Sequence, residues 1–462
     1  MYKMKSFYDS HLHFVGIGLN ELEFVNVSEC NSHKSVSDTL SSNLERDMII
    51  ARGWHQENFL EKRSFTKELL NQISTEIPIV CIRTCGHVLV CNDKMMEMAG
   101  VTNSSLPVEG GTFSFETGVF TENALAIIYK DIPKPSKDRI KEYMKAANQI
   151  LLSNGVTACG SDDFSTLPVD YELIIKAYKE AYSEGLIDVR VYQQVNIPDY
   201  DRLKEFIDKG YHQLEFARFK MGPLKLLADG SLGGRTALMN EPYSDDPNNY
   251  GISTFTQEEL NNLVLLADSH SMDVAIHGIG DRCIDMILEA IQKSKEITKR
   301  DGRHSIIHAQ LANHSQIERM KRLDVGAQTQ PIFLNSDIPI IHSRLGDRKE
   351  ETYLFHSMYQ KGIQTTISTD CPVEPLNPFK NLYCATTRKS IKHSHLSAFL
   401  IDQAFSLEEA LVCYTETPYF FSYEENLKYE DYITLNKEMT KDNLLKLSVE
   451  EVVIDGKIVY TK

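Results

Sequence analysis

Short apolar, β-rich runs alternate with longer helical patterns from about residue 150 onward, and this alternation constrains the fold most strongly. It is typical of βα units built around a parallel sheet. Seven runs are strand candidates: residues 155–161, 188–195, 222–229, 272–280, 303–310, 325–331 and 363–370. The opening KSFYDSHLH is the eighth candidate. We therefore predict an α/β fold of the (β/α)8 barrel type, although an open doubly wound sheet would give much the same pattern.

The stretches between these runs are amphipathic, with apolar residues recurring at three and four positions. Helical patterns of this kind cover residues 136–155, 171–185, 256–271 and 281–297. Several of them begin on Ser, Thr or Asp and end on Gly or Asn, as capped helices do.

Two regions depart from the alternation. Residues from about 15 to about 135 separate the first two strands by far more than one helix, which predicts a large insertion after strand 1. Residues 426–462 show period-two alternation with an Asp-Gly turn at 455 and 456, which predicts a small β appendage. We thus predict a barrel domain over residues 1–425 and a C-terminal β appendage over residues 426–462, which we interpret as an incomplete β-sandwich.

Charge and hydropathy narrow the classes of partner. The 462 residues carry a formal net charge of -16 and no basic stripe or tail, so we predict no nucleic-acid partner. The N-terminus lacks the apolar core of a signal peptide, and no stretch has the roughly 18 to 20 apolar residues that span a bilayer. We predict a cytoplasmic protein with no membrane contact.

The nine cysteines do not have the paired spacings of a zinc ribbon or a disulfide framework. Cys81, Cys85 and Cys91 together with His87 suggest a structural zinc site, but Cys81 stands in an apolar, strand-like run and no second pair completes a tetrahedral set. We interpret the cysteines as reduced and packed.

Histidines stand where catalytic groups of a parallel barrel are found, at the C-terminal ends of strands. His11 and His13 end the first run, and since side chains i and i+2 of a strand share a face, both imidazoles can face one ion. His277 and His308 end two successive runs. One histidine at such a position is more often a hydrogen-bonded barrel residue than a ligand. Four together favour a metal site.

Asp370 and Lys225 extend this set. Asp370 closes the last run, and a lone aspartate there could simply cap the next helix. Beside four imidazoles it can instead bind metal and accept a proton from a bound water. Lys225 interrupts an apolar run, where an ammonium is costly to bury. It could snorkel to the barrel rim, or a lowered pKa could favour its reaction with carbon dioxide to a carbamate that bridges two metal ions.

The types of these residues predict hydrolysis. Imidazole and oxygen ligands suit zinc and similar ions, and the pKa of a bound water can be lowered toward neutrality. No GxGxxG or GKS/GKT motif follows a strand, so the sequence does not indicate a nucleotide site. We expect one or two divalent ions, with Zn²⁺ as the first candidate.

The order HxH, Lys, His, His, Asp resembles that of the amidohydrolase superfamily, and longer strings resemble its YtcJ-like group, which includes N-substituted formamide deformylases. The resemblance covers about residues 7 to 425 in the strings DSHLHF, RGWHQENF, GHVLVCN, KLLADGSLGGRTALMNEPYSDDPNNYG, VAIHGIGDRCID, RHSIIHAQL, AQTQPIFLNSD and STDCPVEPLNPF. It implies a barrel with a metal centre built from His11, His13, Lys225, His277, His308 and Asp370.

The resemblance also implies roles for these residues. His11 and His13 are expected to hold one ion and His277 and His308 another, and the count of one or two ions stays open. Lys225 is a candidate carboxylated bridge and Asp370 the general base. Catalysis is thus expected to involve Asp370, Lys225 and His277.

Substrate contacts are expected from two other parts of the chain. The resemblance points to Asp229, Arg235 and Thr236, in the loop after the fourth strand, as residues that shape or close the pocket. His87 and Trp54, in the insertion, could line its outer wall. For Trp54, packing in a core is the alternative that we favour.

One departure from the family concerns its β-sandwich. Family members usually begin with some tens of residues of this sandwich, whereas the present chain starts almost at its HxH. We therefore expect the C-terminal strands to have lost their partners. Three explanations are open: the start of the chain is truncated, the strand edges are unpaired, or another subunit of a homo-oligomer covers them. The usual glycine and lysine pattern near the chain end is replaced by ENLKYEDYITL.

The leading hypothesis is a metal-dependent hydrolase that cleaves a non-peptide carbon–nitrogen bond of a small molecule. An amide or an N-acyl or N-formyl compound would be attacked by metal-activated water, with Asp370 as general base. A heterocyclic amine deaminase is the second hypothesis, because one scaffold can host both reactions. The third is a degenerate barrel that binds a small molecule without turnover.

Overall fold

The computed structural model describes residues 2–106, 108–425 and 430–462. Its strands are β1 (Tyr2–Lys5), β2 (Phe7–Leu12), β3 (Val25–Asn26), β4 (Ile49–Trp54), β5 (Ile79–Arg83), β6 (Val88–Cys91), β7 (Gly111–Ser114), β8 (Val119–Glu122), β9 (Val156–Asp162), β10 (Arg190–Asn196), β11 (Glu215–Phe216), β12 (Phe219–Leu227), β13 (Val274–Gly278), β14 (Ser305–His308), β15 (Gly326–Thr329), β16 (Thr365–Ile367), β17 (Tyr432–Leu435), β18 (Val449–Ile454) and β19 (Lys457–Thr461). Its α-helices are α1 (Phe14–Glu23), α2 (His33–Ser41), α3 (Lys67–Ile73), α4 (Asp93–Met98), α5 (Leu125–Tyr129), α6 (Lys137–Ser153), α7 (Tyr171–Ser183), α8 (Tyr200–Asp208), α9 (Gln257–Ser269), α10 (Asp281–Thr298), α11 (His314–Leu323), α12 (Leu334–Asp337), α13 (Ile341–Leu345), α14 (Phe355–Gln360), α15 (Pro378–Thr387), α16 (Leu407–Thr415) and α17 (Pro418–Phe421).

The chain forms two compact units. One comprises Met1–Gly18 and Ser136–Lys462, and the other comprises Leu19–Pro135. The second unit falls in the region where the sequence predicts an insertion. The predicted boundary at residue 426 lies in the segment 426–429, outside the described residues, as does part of the string ENLKYEDYITL.

A parallel sheet of eight strands dominates the larger unit, in the order β2, β9, β10, β12, β13, β14, β15, β16. Its end strands β2 and β16 are joined by a 2.6 Å hydrogen bond between Ser10 Oγ and Thr366 Oγ1. Just beyond β16, the backbone N–H of Asp370 donates to His11 O at 2.9 Å. The sheet is therefore a nearly closed barrel, and the predicted (β/α)8 fold is confirmed over the open sheet.

Local sequence explains these barrel elements. Every residue of β2 and β9 is buried, as expected for parallel strands covered on both faces. Helix α9 begins with a capping box in which the Thr256 side chain accepts from Glu259 N and Glu259 bonds back to the Thr256 N–H. The four predicted helical stretches overlap α6, α7, α9 and α10, and each predicted run overlaps one barrel strand.

The smaller unit is built on a mixed sheet in the order β3, β4, β5, β6, β8, β7. Trp54 is 1% exposed, packs on Phe59 and Phe65, and donates its indole N–H to Cys81 O at 3.0 Å. Trp54 is thus a core residue of this unit. His87 Nδ1 lies 2.7 Å from Glu122 Oε2. Contact of Trp54 or His87 with substrate stays a prediction. No disulfide joins any of the nine cysteines, all of which lie in the described part of the chain, and seven of them are buried.

The C-terminal strands form an antiparallel sheet in the order β1, β17, β18, β19. β1 pairs with β17, Tyr2 lying opposite Leu435. The expectation that these strands have lost an N-terminal partner is therefore wrong for β17, because residues 2–5 supply one. The predicted turn is confirmed: Asp455 and Gly456 join β18 to β19 with φ values of 49° and 75°. No helix in the described part of the chain is long and apolar enough to cross a bilayer.

Candidate metal centre

Three buried side chains converge at the C-terminal end of the barrel. His11, His308 and Asp370 each offer one ligand atom, and these atoms lie within 4.8 Å of one another. Asp370 Oδ1 is 3.3 Å from His11 Nε2 and 3.2 Å from His13 Nε2. The structure thus brings together four of the six predicted ligands around one carboxylate.

The backbone at two of these residues is left-handed. His308 has a φ of 75° and Asp370 a φ of 56°, conformations that cost a non-glycine residue about 1–2 kcal/mol. Hydrogen bonds between strands hold both turns: Asp370 N donates to His11 O at 2.9 Å, and Ala309 N donates to Gly278 O at 3.1 Å. Such conformations persist where the surrounding structure over-determines them, and they cluster at functional sites.

Each histidine of the set has one ring nitrogen close to an uncharged oxygen. The pairs are His11 Nδ1 with Gln194 Oε1 at 2.7 Å, His13 Nδ1 with Asp162 O at 2.8 Å, His308 Nδ1 with Gln330 Oε1 at 2.7 Å and His277 Nε2 with Gly230 O at 3.0 Å. Carbonyl oxygens accept only, so in each pair the ring nitrogen donates. In a neutral imidazole the other nitrogen then carries the lone pair that a metal ion needs.

This donor set fits a cation. In these tautomers the Nε2 lone pairs of His11 and His13 face the Asp370 carboxylate at 3.2–3.3 Å. Electron-pair donors at such distances repel one another unless a proton or a cation lies among them. Imidazole nitrogen with carboxylate oxygen is the ligand type that zinc and similar divalent ions take.

The electrostatics of the site favour the protonation states of ligands at His11, His308 and Asp370, whereas the Asp370 carboxylate, against the effect of burial, raises the pKa of His13. Burial, followed by the charge of Lys225, lowers the pKa of His11, and burial with His277 lowers the pKa of His308 well below 6.5. Burial opposes ionisation of Asp370, but the close contact with the His11 and His13 rings holds its pKa well below 3.8. Neutral imidazoles and an ionised carboxylate are the forms that bind metal.

His277 and Lys225 lie beside this group. The His277 and His308 ring centroids are 4.5 Å apart. The Lys225 side chain is 1% exposed and its Nζ is 4.0 Å from Asp162 Oδ2, so it does not snorkel to solvent. Burial lowers the pKa of Lys225, and Asp162 partly offsets that effect. A lowered pKa is what the predicted carbamate requires.

Comparison with known proteins identifies the family. A model described as "Amidohydrolase family" matches residues 6–460. The chain belongs to this amidohydrolase family. The Bacillus subtilis (strain 168) protein "Putative amidohydrolase YtcJ" is 30% identical to this amidohydrolase over 477 residues, which cover 99% of this chain and 88% of that protein. The resemblance found in the sequence is therefore confirmed.

Two further comparisons bear on this amidohydrolase. The crystal structure of an uncharacterized metal-dependent hydrolase from Pyrococcus horikoshii OT3 has a TM-score of 0.72 and 30% identity, covering 91% of this chain and 82% of that one. The N-substituted formamide deformylase of Arthrobacter pascens is 21% identical over 382 residues, covering 79% of this chain and 68% of that protein.

The predicted substrate residues after the fourth strand are engaged within the protein. Asp229 is fully buried and accepts from three backbone N–H groups. Arg235 makes a bidentate ion pair with Asp245, with both distances at 3.0 Å. Thr236 Oγ1 accepts from Ser231 N at 2.9 Å. In this amidohydrolase these contacts shape the loop, and contact with substrate stays a prediction.

Sequence reasoning missed several residues of the site. Asp9 is fully buried, accepts from the N–H and hydroxyl of Thr369, and so holds the segment before Asp370 against β2. Burial raises the pKa of Asp9 to about 7. Gln194 and Gln330 were also missed, although Gln194 lies near the end of β10 and Gln330 directly follows β15. That position is a usable signal, but glutamine is not a residue type that suggests metal chemistry.

Proposed function

We propose that this amidohydrolase is a metal-dependent hydrolase that cleaves a non-peptide carbon–nitrogen bond in a small amide, N-acyl or N-formyl compound. One observation carries the proposal: the buried ligand atoms of His11, His308 and Asp370 lie within 4.8 Å of one another at the C-terminal end of the barrel. The metal-dependent hydrolase of Pyrococcus horikoshii supports the metal. The formamide deformylase of Arthrobacter pascens supports the bond type.

Each chemical task has a candidate residue in this proposal. A divalent ion, with Zn²⁺ as first candidate, would supply Lewis acidity toward water and toward the amide carbonyl. His11, His13, His308 and Asp370 would hold it. An amide nitrogen is a poor leaving group until it is protonated, so the Asp370 carboxylate would take the proton of the attacking water and return it to the departing nitrogen.

Lys225 decides the number of ions in this proposal. With a carbamate on its Nζ, the chain would supply a bridging ligand. His277 with His308 would then hold a second ion, and His11, His13 and Asp370 would remain with the first. The test is ¹³C NMR of protein equilibrated with ¹³C-bicarbonate, together with metal analysis. We expect a carbamate signal and two ions per chain. A bare amine in metal-replete protein would leave a single ion as the proposal.

Turnover with metal control tests the function. Purified protein, stripped with a chelator and reconstituted with Zn²⁺, is assayed for amine release from N-formyl and N-acetyl amines. We expect turnover only in the reconstituted protein and a loss of at least 100-fold in His308→Ala, on the order of the cost of removing a catalytic group. His270→Ala, a change at an exposed histidine, is the matched control and should keep full activity.

Three outcomes would overturn the proposal. Turnover that survives chelation and His308→Ala would separate the reaction from the metal centre. Ammonia release from heterocyclic amines without amide cleavage would establish the deaminase hypothesis. Tight binding of amides without turnover by metal-replete protein would establish the binding barrel.

A further inference from the structure

Two buried glutamines contact the histidines of the candidate metal centre. Gln194 lies in β10 and Gln330 directly follows β15, and each is 1% exposed. Gln194 Oε1 is 2.7 Å from His11 Nδ1, and Gln330 Oε1 is 2.7 Å from His308 Nδ1. These two histidines lie on strands that are not neighbours in the barrel, yet each contacts the amide oxygen of a glutamine.

The other end of each amide fixes which atom faces the histidine. Gln194 Nε2 donates to Ser10 O at 3.1 Å, and Gln330 Nε2 donates to Gln328 O at 3.0 Å. A backbone carbonyl can only accept, so an amide flip would set two oxygens against each other at both sites. The amide oxygens therefore face the imidazoles, and each Nδ1 donates.

Both amides thus select one imidazole tautomer. With the proton on Nδ1, the lone pair is on Nε2, and His11 Nε2 lies 3.3 Å from Asp370 Oδ1. The opposite tautomer would leave a lone pair on Nδ1 facing the amide oxygen at 2.7 Å. An amide also carries no charge, so it makes the imidazole a weaker electron donor than a carboxylate partner would.

We propose that Gln194 and Gln330 are positioning residues, which hold His11 and His308 in the Nδ1-protonated tautomer so that each Nε2 atom can bind a divalent ion. The inference rests on the proposed metal-dependent function and deepens it. Partners of metal-bound histidines commonly change metal affinity about 10- to 100-fold when they are removed.

Metal affinity of paired variants tests the inference. Gln194→Met and Gln330→Met keep the length of the side chain and remove the acceptor. Gln194→Glu and Gln330→Glu keep an acceptor and, like the Met variants, lose the donated N–H bonds. By competition with a chromophoric chelator for Zn²⁺, we expect the Met variants to bind about 10- to 100-fold more weakly than wild type and the Glu variants to bind at least about 10-fold more tightly than the Met variants.

Gln193→Met is the matched control. Gln193 precedes Gln194 in β10, is fully buried and donates to Gln194 O at 2.8 Å. It also loses a buried amide, so its Zn²⁺ affinity should stay within about threefold of wild type if the effect belongs to the histidine partners. Circular dichroism of the metal-free variants reports folding, and ¹⁵N NMR of labelled histidines reads the tautomer without metal or substrate.

Two results would overturn the inference: equal Zn²⁺ affinity in the Met and Glu variants, or wild-type rings of His11 and His308 protonated on Nε2. Wild-type protein that binds Zn²⁺ and turns over amides while its Met variants keep full affinity would refute the inference and leave the proposed function standing. If Zn²⁺ affinity depends on both glutamines but the protein turns over no amide, the inference stands and the proposed function is refuted.

Discussion

The Asp229→Asn substitution separates a structural role of this carboxylate from the predicted role in substrate binding. Asp229 Oδ2 accepts from Leu238 N at 2.9 Å and from Gly280 N at 2.8 Å, and Oδ1 accepts from Ile279 N at 3.0 Å. Oδ1 is also 3.2 Å from His277 Nε2. The carboxylate thus ties the loop after β12 to the segment after β13.

The magnitude follows from these contacts. Asparagine offers one acceptor oxygen, which is best placed at the Oδ2 position because two N–H groups point there. Its amide N–H₂ then faces Ile279 N–H, and a buried donor without an acceptor costs about 1–3 kcal/mol. The two remaining bonds lose their charge, which weakens each by roughly 1 kcal/mol. We expect the free energy of unfolding to fall by about 3–5 kcal/mol.

Urea unfolding followed by circular dichroism measures this loss in metal-free protein. Asp208→Asn, at a side chain 56% exposed in a surface ion pair with Lys204, is the control and should change stability by less than about 1 kcal/mol. If Asp229→Asn leaves stability within about 0.5 kcal/mol of wild type and raises only KM, the carboxylate binds substrate and the structural reasoning is refuted.

Three further changes test the packing and charge of the barrel. Burial opposes ionisation of Asp268, but hydrogen bonds with His304, Thr298 and Arg300 hold its pKa well below 3.8. The ionised carboxylate therefore stabilises the folded state above about pH 4. Asp268→Asn should therefore cost about 3 kcal/mol by urea unfolding at pH 7 and less as the pH falls below about 4, and a pH-independent cost would contradict this. Burial raises the pKa of Asp163 from 3.8 to about 6, so this group should cost wild type up to about 3 kcal/mol of stability as the pH rises from 3.8 to about 6. Asp163→Asn should lose about 3 kcal/mol less than wild type over this range, and parallel curves would rule this out. A Cβ on Gly280 would lie 1.9 Å from Leu238 O, so Gly280→Ala should cost at least about 1–3 kcal/mol, and an unchanged midpoint in thermal unfolding would show that the loop gives way.

The barrel could be predicted from the sequence because parallel strands that are buried on both faces consist of runs of apolar residues. The exact strand ends could not be predicted: the run 363–370 contains a strand of only three residues, Thr365–Ile367. Strand ends depend on which backbone groups find partners. Beyond β16 the backbone leaves the ladder, and Asp370 N turns to His11 O instead.

The β1 strand shows the same limit for a contact between distant parts of the chain. The first predicted strand begins only at Lys5, and the C-terminal strands are expected to have lost their partners. The structure pairs Lys5 with Tyr432 in an antiparallel ladder. Nothing in a four-residue segment encodes that register, because it is set by where the barrel brings the two ends of the chain.

The sequence by itself determined the residues that can carry the chemistry, since His11, His13, His308 and Asp370 are recognisable by type and by position at strand ends. Only the tertiary structure decided what their neighbours do. Asp229 is a plausible substrate ligand in the sequence, yet in the fold its oxygens are bonded to backbone N–H groups. Gln194 and Gln330 are ordinary glutamines until folding sets each amide against an imidazole. The physical reason is that residue type fixes which bonds a side chain can make, whereas the packing of distant strands selects the partner with which it makes them.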